Sequence, residues 1–226
     1  MYPELKSALE RSEALHTAMG ETLGDEIIVE TLKDRTALNF CTLSFEYAIS
    51  MRILLREGFA VPATGLMRPQ YEALVKAFWF RFCASAEVIE RINSPLSLES
   101  EKATKNLPGI RDMLTKLEKT PEVPAPAVEQ LRLFEQISLN ALHSYAHGGI
   151  HAIARHADGF PVQLAVSVLY NSNGLATMAG MLMAVVSGSA YRAKALNATT
   201  LEFADCLPMP KKREQTAPMG KGSMPS

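Results

Sequence analysis

The chain has 226 residues, 47% hydrophobic and 21% charged, with a formal net charge of -1. That is ordinary globular composition at a length that buries a core as one large domain or two small ones. The near-zero balance argues against a strongly basic nucleic-acid binder and leaves only a local patch open.

The first predicted helix runs from Pro3 to about Leu23, with Leu5, Leu9, Leu15, Met19 and Leu23 as its inner stripe and Gly24 as its stop. The second runs from about Asp25 to Glu57, with an inner side that includes Ile28, Leu32, Leu38, Leu43, Tyr47, Met51, Leu54 and Leu55. A third starts near Pro62 and reaches about Cys83. It is apolar on most sides, which places it in the middle of a bundle, and Pro69 predicts a kink or a delayed start. Arg68 and Glu72 lie one turn apart on it and need a partner if buried.

Short helices follow at Ala86 to Ile92 and Ile110 to Leu117. A polar loop from Ser94 to Asn106 separates them, and a stiff linker at Pro121, Pro124 and Pro126 comes after. A helix from near Pro126 to Tyr145 is stopped by Gly148-Gly149, so His143 and His147 share a face at its end and a polar turn follows. Pro161 opens a long segment to about Leu196, with a possible break at Asn171-Ser172-Asn173-Gly174. The residues from 208 to 226, rich in Pro, Lys, Gly and Met, read as a disordered tail after a domain spanning 1 to 207.

Cys41, Cys83 and Cys206 form no CxxC and read as reduced, buried thiols of a cytosolic protein. The N-terminus has no signal-peptide pattern, and the most apolar run, Leu175 to Ala190, is shorter than the roughly 20 residues that span a bilayer. A cytoplasmic protein without a membrane partner is the expectation.

Four of the five histidines lie between His143 and His156. The HxxxH pair His143 and His147 can share a metal only with a third ligand, which the sequence does not fix; two hydrogen-bonded imidazoles at a helix end are the favoured reading. Glu13 and His16 form a single ExxH, where a di-iron bundle needs two. No phosphate loop, dinucleotide fingerprint, nucleophile elbow or HExxH is present. If the histidine helix packs on the third, Arg68, Glu72, His143 and His147 converge, and Arg155, Asn171 and Asn173 are candidates to join them.

Three blocks carry a resemblance: Gly65 to Ala73, Leu139 to Gly149, and His156 to Pro161 with Asn171 to Gly174. Together they resemble an uncharacterised bacterial family of all-helical proteins, remotely similar in turn to HEPN-type helical domains. That likeness implies a dimerising bundle and, for many such domains, ribonuclease activity in toxin or phage-defence systems. Their motif places an Arg four to six residues before a His on a late helix. No Arg stands there before His143 or His147, where Asn140 and Ser144 are polar stand-ins, while Arg11 and His16 have the spacing on the first helix.

The expectation is an all-α, single-domain, HEPN-like bundle of long antiparallel helices with an irregular insertion from about Ser94 to Pro126. It would bind a nucleotide, RNA or another phosphate-bearing ligand, with no cofactor indicated. His143 and His147 are the candidate acid and base; Arg68, Glu72, Asn140, Ser144, His151, Arg155, Asn171 and Asn173 are candidate ligand contacts. The alternative is a non-enzymatic homodimeric interaction protein whose polar cluster only fixes packing.

Overall fold

Helix α3 (Ala60–Phe82), the segment without a polar side, stands at the centre of the molecule. A computed structural model describes residues 1–95, 97 and 107–208. Among them the protein is all-helical, without strands. Around α3 lie α1 (Pro3–Leu23), α2 (Leu32–Arg56), α4 (Ala86–Ile92), α5 (Ile110–Glu118), α6 (Ala125–Ala146), α7 (Ile150–Asp158), α8 (Val162–Val186) and α9 (Ala190–Glu202), with a 3-10 turn at Ala204–Cys206. Most of the expected loop from Ser94 to Asn106, and the tail beyond Pro208, fall outside the described residues.

Helix α3 touches α2, α5, α6, α7 and α8. Tyr71, Leu74 and Phe80 are fully enclosed there. Each such side chain contributes roughly 1.5–3 kcal/mol of transfer free energy. The helix begins at Ala60, before Pro62, and is continuous through Pro69. The carbonyl that Pro69 leaves without its helical N–H belongs to Gly65, where α6 crosses closely: a Cβ on Gly65 would lie 3.5 Å from the Tyr145 carbonyl oxygen.

Three expectations change. Helix α2 starts at Leu32 rather than Asp25, because the Thr31 side chain accepts the Asp34 N–H at 3.0 Å and caps it there. Its buried face is small over the first half, Ala37, Cys41, Ser44 and Ala48, and carries the expected Met51 and Leu55 beyond; Leu32 and Leu43, and Ile28 ahead of the helix, are exposed. Small residues let α2 lie close against α3, and bulk on that face would push the two apart.

Helix α8 does not break at Asn171-Ser172-Asn173-Gly174 but runs through it. Two of them, Ser172 and Asn173, are polar because they link this helix to other elements. The Gln70 amide donates to the Ser172 carbonyl at 2.9 Å, and the Ser172 hydroxyl donates to Gln70 Oε1 at 2.7 Å. Ser44 of α2 donates to the Gln70 carbonyl at 3.1 Å. The helix ends instead at Ser187, before Gly188 at φ 65°.

The expected insertion is partly core, since Met113, Leu114 and Leu117 of α5 are enclosed. No helix among the described residues is long and apolar enough to cross a membrane. Cys41, Cys83 and Cys206 are free thiols, the first and last buried.

Candidate functional site at the end of the histidine helix

Helix α6 ends where the glycines predict. His147 closes it, its N–H donating to the His143 carbonyl at 3.1 Å, and Gly148 takes φ 64°, a left-handed conformation that glycine adopts without strain. The chain then re-enters a helix, α7, where a polar turn is the sequence expectation. The cause is a side chain: Ser144 Oγ accepts the His151 N–H at 2.9 Å, and satisfies a donor in the first turn of α7. The fit is tight, for a Cβ on Gly149 would stand 2.6 Å from that hydroxyl. His151 therefore leaves the His143–His147 row, and its ring faces Tyr145 at 6.1 Å.

Four of the predicted residues meet. Arg68 Nε donates to Glu72 Oε1 at 2.8 Å along α3. Its Nη1 donates across to His143 Nδ1 on α6. The His143 and His147 rings lie 4.5 Å apart, tilted at 52°. A guanidinium has only donors, so His143 Nδ1 is the acceptor and a neutral ring carries its proton on Nε2. Arg68 and Glu72 are each about one-quarter exposed, and both histidines are exposed. The cluster is thus open to water, not enclosed by apolar helices.

The other candidates are elsewhere or uncommitted. Asn140 is exposed on α6, and Arg155 is half-buried on α7. Asn171 donates to the Ser167 carbonyl of its own helix at 2.8 Å. Asn173 is buried and belongs to a different network: it accepts from Ser12 at 2.6 Å and donates to the Cys206 carbonyl at 2.9 Å. Neither asparagine joins the histidines. No group of three His, Cys, Asp or Glu side chains among the described residues is placed to hold a metal.

The Arg11–His16 spacing does not form a pair. Arg11 Nε binds Asp205 at 3.0 Å, its Nη2 donates to the Glu202 carbonyl at 2.7 Å, and its guanidinium covers the Phe203 ring at 4.0 Å. His16 instead takes a hydrogen bond from Arg52 Nη1 at 3.1 Å on its Nδ1. Burial first, and Arg52 second, push His16 down to about 4.

Arg52 is a residue that sequence reasoning missed. It is buried on α2 beside Glu13, 3.6 Å away. The signal was a charge set within the stripe Ala48, Met51 and Leu55. Glu13 is held below the usual carboxylate range by the Arg56 hydrogen bond at 2.6 Å, and further by Arg52. His16 Nε2 and Arg52 Nε are buried with no hydrogen-bond partner among the described residues.

A family described as "Family of unknown function (DUF6988)" has a model that matches residues 41–209. The match contains the histidine end and leaves α1 outside. No curated protein and no solved structure matches the chain.

Proposed function

The chain belongs to the DUF6988 family, and we propose that its histidine end binds a phosphate-bearing ligand, a nucleotide or RNA, in a HEPN-like helical module. The observation that carries this reading is the bridge from Glu72 through Arg68 to His143, with His147 beside it. It holds a guanidinium at an open surface next to two imidazoles, whose N–H groups are donors a phosphate oxygen accepts. Arg155, half-buried on α7, is a further candidate cation, and its side chain makes no hydrogen bond or ion pair to a described residue. If the site turns over, His143 and His147 are its acid and base. The HEPN likeness extends the reading to a cytoplasmic homodimer in a toxin or phage-defence setting.

Calorimetric titration with adenosine monophosphate and with a short single-stranded RNA tests it. Arg68→Ala should weaken binding at least tenfold, about 1.4 kcal/mol. Glu72→Gln frees the guanidinium of its counter-charge and should tighten binding. Equal binding by wild type, Arg68→Ala and Arg155→Ala rejects the reading.

A second reading has its own support. Glu72 already neutralises Arg68, as in a clamp that fixes α6 on α3 within a non-enzymatic interaction protein. It predicts that Arg68→Ala and His147→Ala lower the melting temperature while no ligand binds.

A further inference from the structure

A groove of about 390 Å³ lies between α6 and α8, closed at one end by Leu207 and Pro208. Among the described residues lining it, none is charged. Another cavity, of about 570 Å³, differs: Glu118, Glu129 and Arg132 line it, and Arg132 is engaged by Glu118 at 2.6 Å and Glu135 at 2.9 Å.

The walls of the neutral groove are fixed by their own packing. Phe134 stacks on Tyr71 at 4.8 Å between ring centres, and the Tyr71 hydroxyl donates to the Leu131 carbonyl at 3.0 Å. At the closed end Pro208 rests on bare backbone, since a Cβ on Gly174 would meet its Cγ at 2.9 Å. At the mouth, Leu133 and Ile137 are 40% and 56% exposed, apolar surface left in water beside a preformed concavity.

The polar groups are few and partly uncommitted. The Gln130 amide and the Ser138 hydroxyl bond no described residue, and Asn171 uses its amino group on its own helix, leaving its carbonyl free. A charged ligand would lose its hydration here and meet no counter-charge. A neutral one with a ring for the Phe134 wall and an amide or hydroxyl for these three residues meets complementary chemistry at each point. The volume is that of a small-molecule pocket and holds about a dozen water-sized groups.

We propose that this groove is a binding site for an uncharged, ring-bearing small molecule carrying an amide or hydroxyl group. It is separate from the histidine end. Ile137 and His143 are six residues apart, which sets His143 about 120° around α6 from Ile137 and about 9 Å along it.

The test is a fluorescence titration of the full-length protein at neutral pH with 2-naphthol, an uncharged, ring-bearing fluorophore that carries a hydroxyl group. Saturable binding at one site per chain is expected. Ser138→Trp fills the groove without removing a hydrogen bond and should weaken binding about tenfold. Ile137→Glu places a charge at the exposed mouth and should weaken it by a similar factor, with the melting temperature unchanged. His147→Ala should leave it unchanged. Absence of saturable binding, or wild-type affinity in both groove variants, overturns the proposal. So does sedimentation showing that Ile137→Glu converts a dimer to a monomer, which would assign the groove to a second copy.

Discussion

Ser144 and His151, seven residues apart, are joined by a 2.9 Å hydrogen bond from backbone N–H to side-chain oxygen, and that bond starts α7. Ser144→Ala should cost about 1 kcal/mol, as for loss of a helix cap, and lower the melting temperature by about 2–4 °C. Gly149→Ala forces its new methyl onto the same hydroxyl, 2.6 Å away, so its cost should shrink in the double variant. Thermal melts of the two single variants and the double variant check this; strictly additive losses would show that the two positions do not touch.

The Gln70 side chain, buried among α2, α3 and α8, satisfies Ser172 twice. Gln70→Ala removes two hydrogen bonds and leaves a void, for an expected cost of about 3 kcal/mol. Urea unfolding measures it. A loss below about 1 kcal/mol would mean that the helices close around the gap or that water replaces the amide.

These two cases show what the sequence makes legible. Apolar periodicity places α1, α3 and α6, and the all-round apolar surface of α3 marks it as central, because burial leaves no polar side to display. Gly24, Gly58 and Gly148 lie at the expected helix ends, since each takes a positive φ. Arg68 and Glu72 identify themselves as a one-turn pair, and His143 and His147 as another. That all four meet depends on how α6 crosses α3, which no local pattern encodes. The polar run at Asn171 to Gly174 misleads because its partners, Ser12 and Gln70, are more than a hundred residues away. Ser144 looks like an ordinary helical residue until the next helix returns to it.

His16 makes stability depend on pH. The folded protein holds it neutral down to about 4, chiefly by burial. An unfolded chain, with an ordinary value near 6.5, takes up a proton over that interval, so stability falls as pH drops from about 6.5 to about 4. The slope is at most about 1.4 kcal/mol per pH unit, and His16 adds none above that window. His16→Gln should flatten the decline in melting temperature between pH values of about 6.5 and 5. Parallel curves for wild type and variant would contradict this.

Arg11 grips the C-terminal turn through Asp205, the Glu202 carbonyl and the Phe203 ring. Arg11→Ala should speed amide exchange at Phe203, Cys206 and Leu207, whose N–H groups close that turn, while the α3 amides keep their protection. If the protein cleaves RNA, the same variant should retain the activity, because Arg11 and His16 engage different partners. A loss of cleavage with unchanged exchange would return the pair to candidacy.

Helix α1 packs mainly on α8, α9 and the last turn. During synthesis it therefore leaves the ribosome roughly 160 residues ahead of α8, its main partner, a wait of about 8–30 s at ordinary elongation rates. Throughout that interval Leu9, Leu15, Met19 and Leu23, all buried in the finished protein, lack the α8 and α9 packing. Helix α1 is thus made early and seated late, and until it is seated the nascent chain offers chaperones an amphipathic helix.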